Sequence, residues 1–262
     1  MTEKITFGRV VRSEWTKLRS LRSTWIILGT TALLTIGLAG AVGRGVAMSV
    51  RGGEPAPTVA DAVSAAFLPI DFFVLVIGVF GVLQMSGEYG TGLIRATLTA
   101  VPGRLPVLGA KALVQVAVTG AVMAVVSLAS FLVCQAFLGD GGASLSDPGV
   151  PGAIVGAAAC PVIMGLLGLG IGTMVRHTAG AITTLAAGLL IAPVLLGPVL
   201  PGDREDDVMK YVPTIAGQAM YSVDGGGGPF ETLSPGASTA VLVGWAVLML
   251  AGGAAVLRRR DA

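Results

Sequence analysis

The feature that most constrains this chain is a set of six long stretches almost free of charge, at residues 24–42, 67–85, 112–138, 152–175, 178–200 and 238–257. Each is close to the length of about 20 residues that an α-helix needs to cross the hydrocarbon core of a bilayer. Backbone N–H and C=O groups in lipid must find partners within the segment. The period-2 alternation of a membrane barrel is missing, so each stretch is read as a helix. Hydrophobic residues make up 53% of the chain and charged residues 12%, where a soluble domain carries about a quarter charged residues. The expected fold is all-α integral membrane, with residues 1–262 forming a single transmembrane domain.

Lys and Arg predict how the six spans are oriented. Of the 17, 13 fall before the first span, between spans two and three, between four and five, or after the sixth. The alternate loops hold only Arg44, Arg51, Arg204 and Lys210, while Asp203, Glu205, Asp206 and Asp207 cluster between spans five and six. Basic residues stay on the cytoplasmic side, so both termini are expected in the cytoplasm of a multi-pass protein of the cell membrane. The first stretch follows a basic segment of more than 20 residues and lacks a small-residue cleavage site. It reads as a retained span rather than a signal peptide. A net charge of +2 gives no reason to expect nucleic acid.

Residues 6–22 predict an amphipathic helix lying on the inner membrane surface. Phe7, Val11, Trp15, Leu18 and Leu21 recur at three- and four-residue steps, with Arg9, Arg12 and Arg19 on the other side. An apolar stripe with a basic flank suits the interface and its anionic headgroups. Glu14 breaks this pattern, because helical spacing puts it beside the apolar stripe.

The loop at 86–111 is longer than two neighbouring spans need. It predicts a short helix over about 91–100, bounded by Gly90 and Gly92 before and by Pro102 and Gly103 after. Leu93, Ile94 and Leu98 are expected to pack on a partner while Glu88, Arg95 and Arg104 meet water. In the external loop, 201–235, residues 211–222 predict a short helix that either lies on the outer surface or dips into the protein. The glycine run at 225–228 lacks the Lys-Ser/Thr ending of a phosphate loop. Gly152–Gly156 and Gly168–Gly172 in span four permit close helix approach, and Pro193 and Pro198 bend or end span five.

Little in the sequence points to catalysis. Cys134 and Cys160 sit in apolar runs without paired spacing, and His177 is the single histidine, so neither a disulfide nor a metal site is expected. There is no GxxxxGK[ST] segment, so the chain should not hydrolyse ATP itself, and no nucleophile–base pair stands in the spans. Asp71 is the one ionisable residue inside a span and so a candidate polar site. If the helix begins at Pro69, Asp71 is instead an interfacial carboxylate near a helix N-terminus, where it is favoured.

Three segments carry a family likeness: SEWTKLRSLRSTW at 13–25, MSGEYGTGLIRATLTAVPGR at 85–104, and YVPTIAGQAM at 211–220. In order along the chain they resemble the matching parts of ABC-2 type transporter permeases, most nearly the single-domain permeases of actinobacteria. The resemblance implies a permease subunit of an ATP-driven exporter for a drug-, peptide- or lipid-like cargo, with no cofactor of its own. ATP and Mg would be bound by a separate ABC ATPase subunit, and a second permease unit, identical or different, would complete the transporter. It further implies that 6–22 is an interfacial connecting helix and that 86–111 carries a coupling helix. Glu88, Tyr89, Leu93, Ile94, Arg95, Leu98 and Arg104 would face the ATPase, and Arg176 with His177 would make a second, smaller contact. Short outer helices in 201–235 would cap the path. The alternative reading is a membrane scaffold or sensor that uses the same architecture.

Overall fold

The structure is a computed structural model that describes residues 6–101, 103–223 and 232–259. The side chains of Leu98 and of residues 202–204, and the glycine run at 225–228, lie outside the described residues. Within them the chain is all-α, and six helices are long and apolar enough to cross a membrane. A first, amphipathic helix α1 (Phe7–Ser20) turns at Leu21 into the first long helix, α2 (Arg22–Arg51). The second long helix is α3 (Val59–Thr91), and Gly92 separates it from the short α4 (Leu93–Ala100). Then come α5 (Leu105–Leu138) and α6 (Val150–Val175). The fifth crossing is broken into α7 (Thr178–Ala186), a π-helical turn at Ala187–Ile191, and α8 (Ala192–Val199). Short helices α9 (Gly202–Met209) and α10 (Pro213–Ala219) precede the last crossing, α11 (Pro235–Arg259). Val10 of α1 and Leu257 of α11 share one buried cluster, so the start of the first helix and the end of the last lie at the same end of the bundle, here called the proximal end.

The second helix begins earlier than residue 67, and its cap explains why. Thr58 accepts a hydrogen bond from the Asp61 N–H at 3.2 Å, and the Asp61 carboxylate accepts one from the Thr58 N–H at 3.0 Å. Two otherwise orphaned donors are satisfied reciprocally, so helix starts at Val59. Pro69 therefore lies inside the helix, and Asp71 sits about three turns from its start. The reading of Asp71 as a residue at a helix N-terminus is corrected.

Helix α6 is the central post: 67% of its most apolar window is buried, against 17% for the fifth crossing. Glycines let its neighbours reach its backbone. A Cβ on Gly81 of α3 would collide with the Gly165 carbonyl, and one on Gly168 with the Gly78 carbonyl. On Gly172 it would stand 2.6 Å from the Val82 oxygen, and on Gly170 2.5 Å from the Met249 backbone of α11. The two small-residue pairs of the sequence thus divide. Gly168 and Gly172 face α3, Gly156 meets the backbone at Met220, and Gly152 faces nothing close. Gly81→Ala is expected to cost about 1–3 kcal/mol through overpacking, whereas Gly244→Ala, with no neighbour to meet, should leave the melting temperature of the purified protein unchanged.

Cys134 and Cys160 are buried and unlinked, as small core side chains. Pro193 and Pro198 fall in α8, and the fifth crossing ends at Val199.

Candidate functional site

Four charged side chains from three helices meet at the proximal end. Glu14 of α1, Glu88 of α3 and Lys111 of α5 are buried, at 4%, 8% and 4% exposure. Lys17, one turn along α1, closes the set. Lys111 Nζ donates to Glu14 Oε2 at 2.6 Å and to Glu88 Oε1 at 2.5 Å. Lys17 Nζ donates to Glu14 Oε1 at 2.7 Å, to Glu88 Oε1 at 3.0 Å, and to the Thr97 hydroxyl at 3.1 Å. Thr97 belongs to α4 and also donates to Glu88 Oε2 at 3.3 Å. Two positive and two negative groups cancel, and each of the four carboxylate oxygens accepts at least one hydrogen bond. That balance makes burial of the four tolerable.

The knot explains Glu14. Its carboxylate lies on the protein-facing stripe of α1, with Val10 and Leu18, which are 4% and 6% exposed. Leu18 packs with Leu28, Ile77 and Phe80, and Val11 is partly buried beside it. Phe7, Trp15 and Leu21 are exposed at 51%, 42% and 55%. The apolar stripe therefore divides: Leu18 and Val11 face the bundle, and Phe7 and Trp15 face outward. Burial acts to lower the pKa of Lys17, but the hydrogen bonds and charges of Glu14 and Glu88 outweigh it and hold the ammonium above its ordinary 10.5. A raised cation stabilises fully below its unfolded pKa and loses that contribution only as pH rises through the folded one. The contribution of Lys17 is accordingly constant across neutral pH.

Glu88 does not meet water, which corrects the expectation for it: two lysines and a threonine draw it inward. Ile94 is likewise 3% exposed, packed with Val10, Met85 and Val107 in the chain's own core. Leu93, 47% exposed, and Arg95 remain on the surface of α4. Arg104 is half-buried rather than solvated. Its Nη1 donates to the Leu257 carbonyl at 3.1 Å, and Arg176 Nη2 donates to the Val256 carbonyl at 3.2 Å. Two cations thus meet the C-terminal carbonyls of α11, where the helix dipole favours them. Arg176 also stands 5.3 Å from the centre of the Tyr89 ring, in cation–π geometry. Both arginines hold positive φ, 55° and 59°, so the turns that carry them are strained to deliver this contact. His177 accepts from the Gly180 N–H at 3.1 Å and caps α7, which allows the tight turn between α6 and α7.

A second polar group lies toward the distal end. The Tyr221 hydroxyl donates to the Asp71 carboxylate, and the Gln218 side chain is a further partner of that carboxylate. Tyr221 is 7% exposed and packs edge-on against Phe67, ring centres 6.0 Å apart. Ile215, Ala216, Gly217 and Ala219 of α10 are buried, with Gly217 close against Cys160. Of the two placements open for 211–222, the segment dips into the protein. Trp245 of α11 anchors its start by donating to the Tyr211 carbonyl at 2.9 Å.

Sequence reasoning singled out Glu88 and Asp71 but missed their partners Lys111, Lys17, Tyr221 and Gln218. The signal available for the first was Glu14, a carboxylate misplaced on an apolar stripe. No model of a known protein family matches the chain, and no curated protein is significantly similar to it.

Proposed function

We propose that this chain is the membrane-spanning permease subunit of an ATP-driven exporter, and that α4 is the element on which a separate ATPase subunit acts. The observation that carries the reading is the knot of Glu14, Lys17, Glu88 and Lys111, with Thr97 tying α4 to it. A displacement of α4 is transmitted through charge-assisted hydrogen bonds to α1, α3 and α5 together. Leu93 and Arg95 give α4 an exposed outer face for the ATPase, while Glu88 and Ile94 serve inside as its anchorage. Arg104 and Arg176, bonded to the end of α11, extend the same block to the last crossing. In this reading the proximal end is cytoplasmic, as the distribution of Lys and Arg supports, and Phe7 and Trp15 rest in the lipid interface. A second permease unit completes the path, and the cargo is drug-, peptide- or lipid-like. ATP binding in the partner changes the state of the path only in so far as the ATP-bound partner favours one permease state over the other.

The test uses the exposed face alone. A Leu93→Ala/Arg95→Glu double variant should keep the melting temperature of the parent. It should lower recovery of a Walker-motif ATPase co-purified from native membranes by about tenfold, the effect of roughly 1.4 kcal/mol at an interface. Unchanged ATPase recovery together with unchanged export would remove α4 as the coupling element.

A further inference from the structure

A cavity of about 460 Å³ lies between the second half of α1, its elbow with α2 and the proximal third of α3. That volume falls within the about 300–1,000 Å³ typical of small-molecule sites. Its walls are of two kinds: Leu18, Ile27, Phe80 and Val114 on the apolar side, and the four-charge knot on the other. Leu21, at the elbow, lines it and is 55% exposed beside Trp25 at 48%. The mouth therefore opens on an apolar flank of the bundle, which, with α1 at the lipid interface as proposed above, faces the acyl chains at the level of the headgroups.

The hydrogen bonds on the charged wall narrow the occupant. Lys17 spends its three N–H groups on Glu14, Glu88 and Thr97, and Lys111 spends two of its own on the two carboxylates. Two carboxylates offer about eight lone-pair sites, and these bonds with that of Thr97 fill only part of them. Acceptors remain for an N–H cation. One helical turn deeper on the same face of α3, about 5.4 Å along the axis, Gln84 also lines the cavity, and its buried Nε2 has no hydrogen-bond partner. Acceptors thus stand nearer the proximal end, with an unpartnered donor below them toward the membrane. An ethanolamine phospholipid presents the same order, ammonium outermost, phosphate next, acyl chain deepest.

We propose that this cavity is a lateral binding site for one phospholipid with a primary ammonium headgroup, drawn from the leaflet at the proximal end. Its ammonium donates to Glu14 and Glu88, its phosphate accepts from Gln84, and part of one chain lies along Leu18, Ile27 and Phe80. A trimethylammonium headgroup has no N–H to give the carboxylates, and a phosphoglycerol headgroup has no cation at all.

The full chain, reconstituted in nanodiscs of mixed ethanolamine, choline and glycerol phospholipids with matched chains, is examined by native mass spectrometry for the lipid that it retains. Ethanolamine lipid should be retained about tenfold over each of the others, the worth of hydrogen bonds to a charged group. Gln84→Leu, which removes the donor to the phosphate, should reduce retention of the ethanolamine lipid about fivefold without altering α4 or the knot. Ile27→Trp, which fills the apolar wall, should reduce retention of all three lipids. Equal retention of the three headgroups, a preference for the glycerol lipid, or unchanged retention of the ethanolamine lipid in Gln84→Leu would each overturn the site. If a variant does not fold, the comparison of headgroups on the parent chain decides alone. The measurement needs neither ATP nor a partner, so its failure leaves the exporter reading standing, and loss of the exporter reading leaves the site standing.

Discussion

Lys111→Met should destabilise the protein by about 3–5 kcal/mol, the cost of removing one partner from a buried ion pair. Lys111 is 4% exposed and bonds both Glu14 and Glu88. Without it two buried carboxylates share a single ammonium, Lys17, whose three donors are already committed. Methionine matches the length of the lysine stem, so the loss reports the charge and its hydrogen bonds rather than a cavity. The double variant Lys111→Met/Glu14→Gln restores balance, because it leaves Lys17 paired with Glu88 at 3.0 Å. It should be more stable than Lys111→Met alone by at least about 1 kcal/mol, within the range of coupling between contacting residues. Reversible unfolding in mixed micelles, read by circular dichroism, measures both. If Lys111→Met costs under about 1 kcal/mol, the usual worth of an exposed pair, the knot does not exist as described.

The second large effect is expected at the distal end. Tyr221→Phe should cost about 1.5–3 kcal/mol, the range for a hydrogen bond to a charged group, because it takes from Asp71 the hydroxyl that holds it. Phenylalanine keeps the ring and so the edge-on contact with Phe67, which isolates the hydroxyl. The loss should be regional. The segment around α10 is fastened at its start by Trp245 and at its end by Tyr221, so losing one fastening lets it open without unfolding the bundle. Hydrogen exchange should accelerate in residues 211–223 and stay unchanged in α6. Asp71→Asn, which keeps an acceptor for Tyr221, should cost less than Tyr221→Phe. If instead Tyr221→Phe leaves exchange in 211–223 unaltered, Asp71 does not hold the outer segment.

The spans were legible because lipid imposes a local rule on each of them. A stretch such as 152–175 must be apolar throughout and must satisfy its own backbone, so its place in the sequence is almost its place in the structure. Boundaries were less legible where polar residues extend a helix beyond its apolar part. Val59–Thr91 gains a turn and more at each end, through the Thr58–Asp61 cap before it and through Glu88, which the knot buries after it. The short helix after Gly92 was anticipated within two residues, since glycine and proline punctuate it. What its side chains face was not. Ile94 and Leu93 are adjacent and equally apolar, yet one is 3% exposed and the other 47%.

Six nearly uncharged stretches and the anomaly of Glu14 on an apolar stripe mark the two limits of what a sequence can show. By itself the sequence determined that the chain is helical, that six helices are long enough to cross a membrane, and which end of the bundle is basic, because hydropathy and loop charge act over a few tens of residues. Only the tertiary structure decided that Glu14 pairs with Lys111, 97 residues away, and Asp71 with Tyr221, 150 residues away. Those pairings depend on the rotation and depth of each helix against its neighbours. Glycine contacts such as Gly81 on Gly165 set that register, and no local pattern in the chain encodes it.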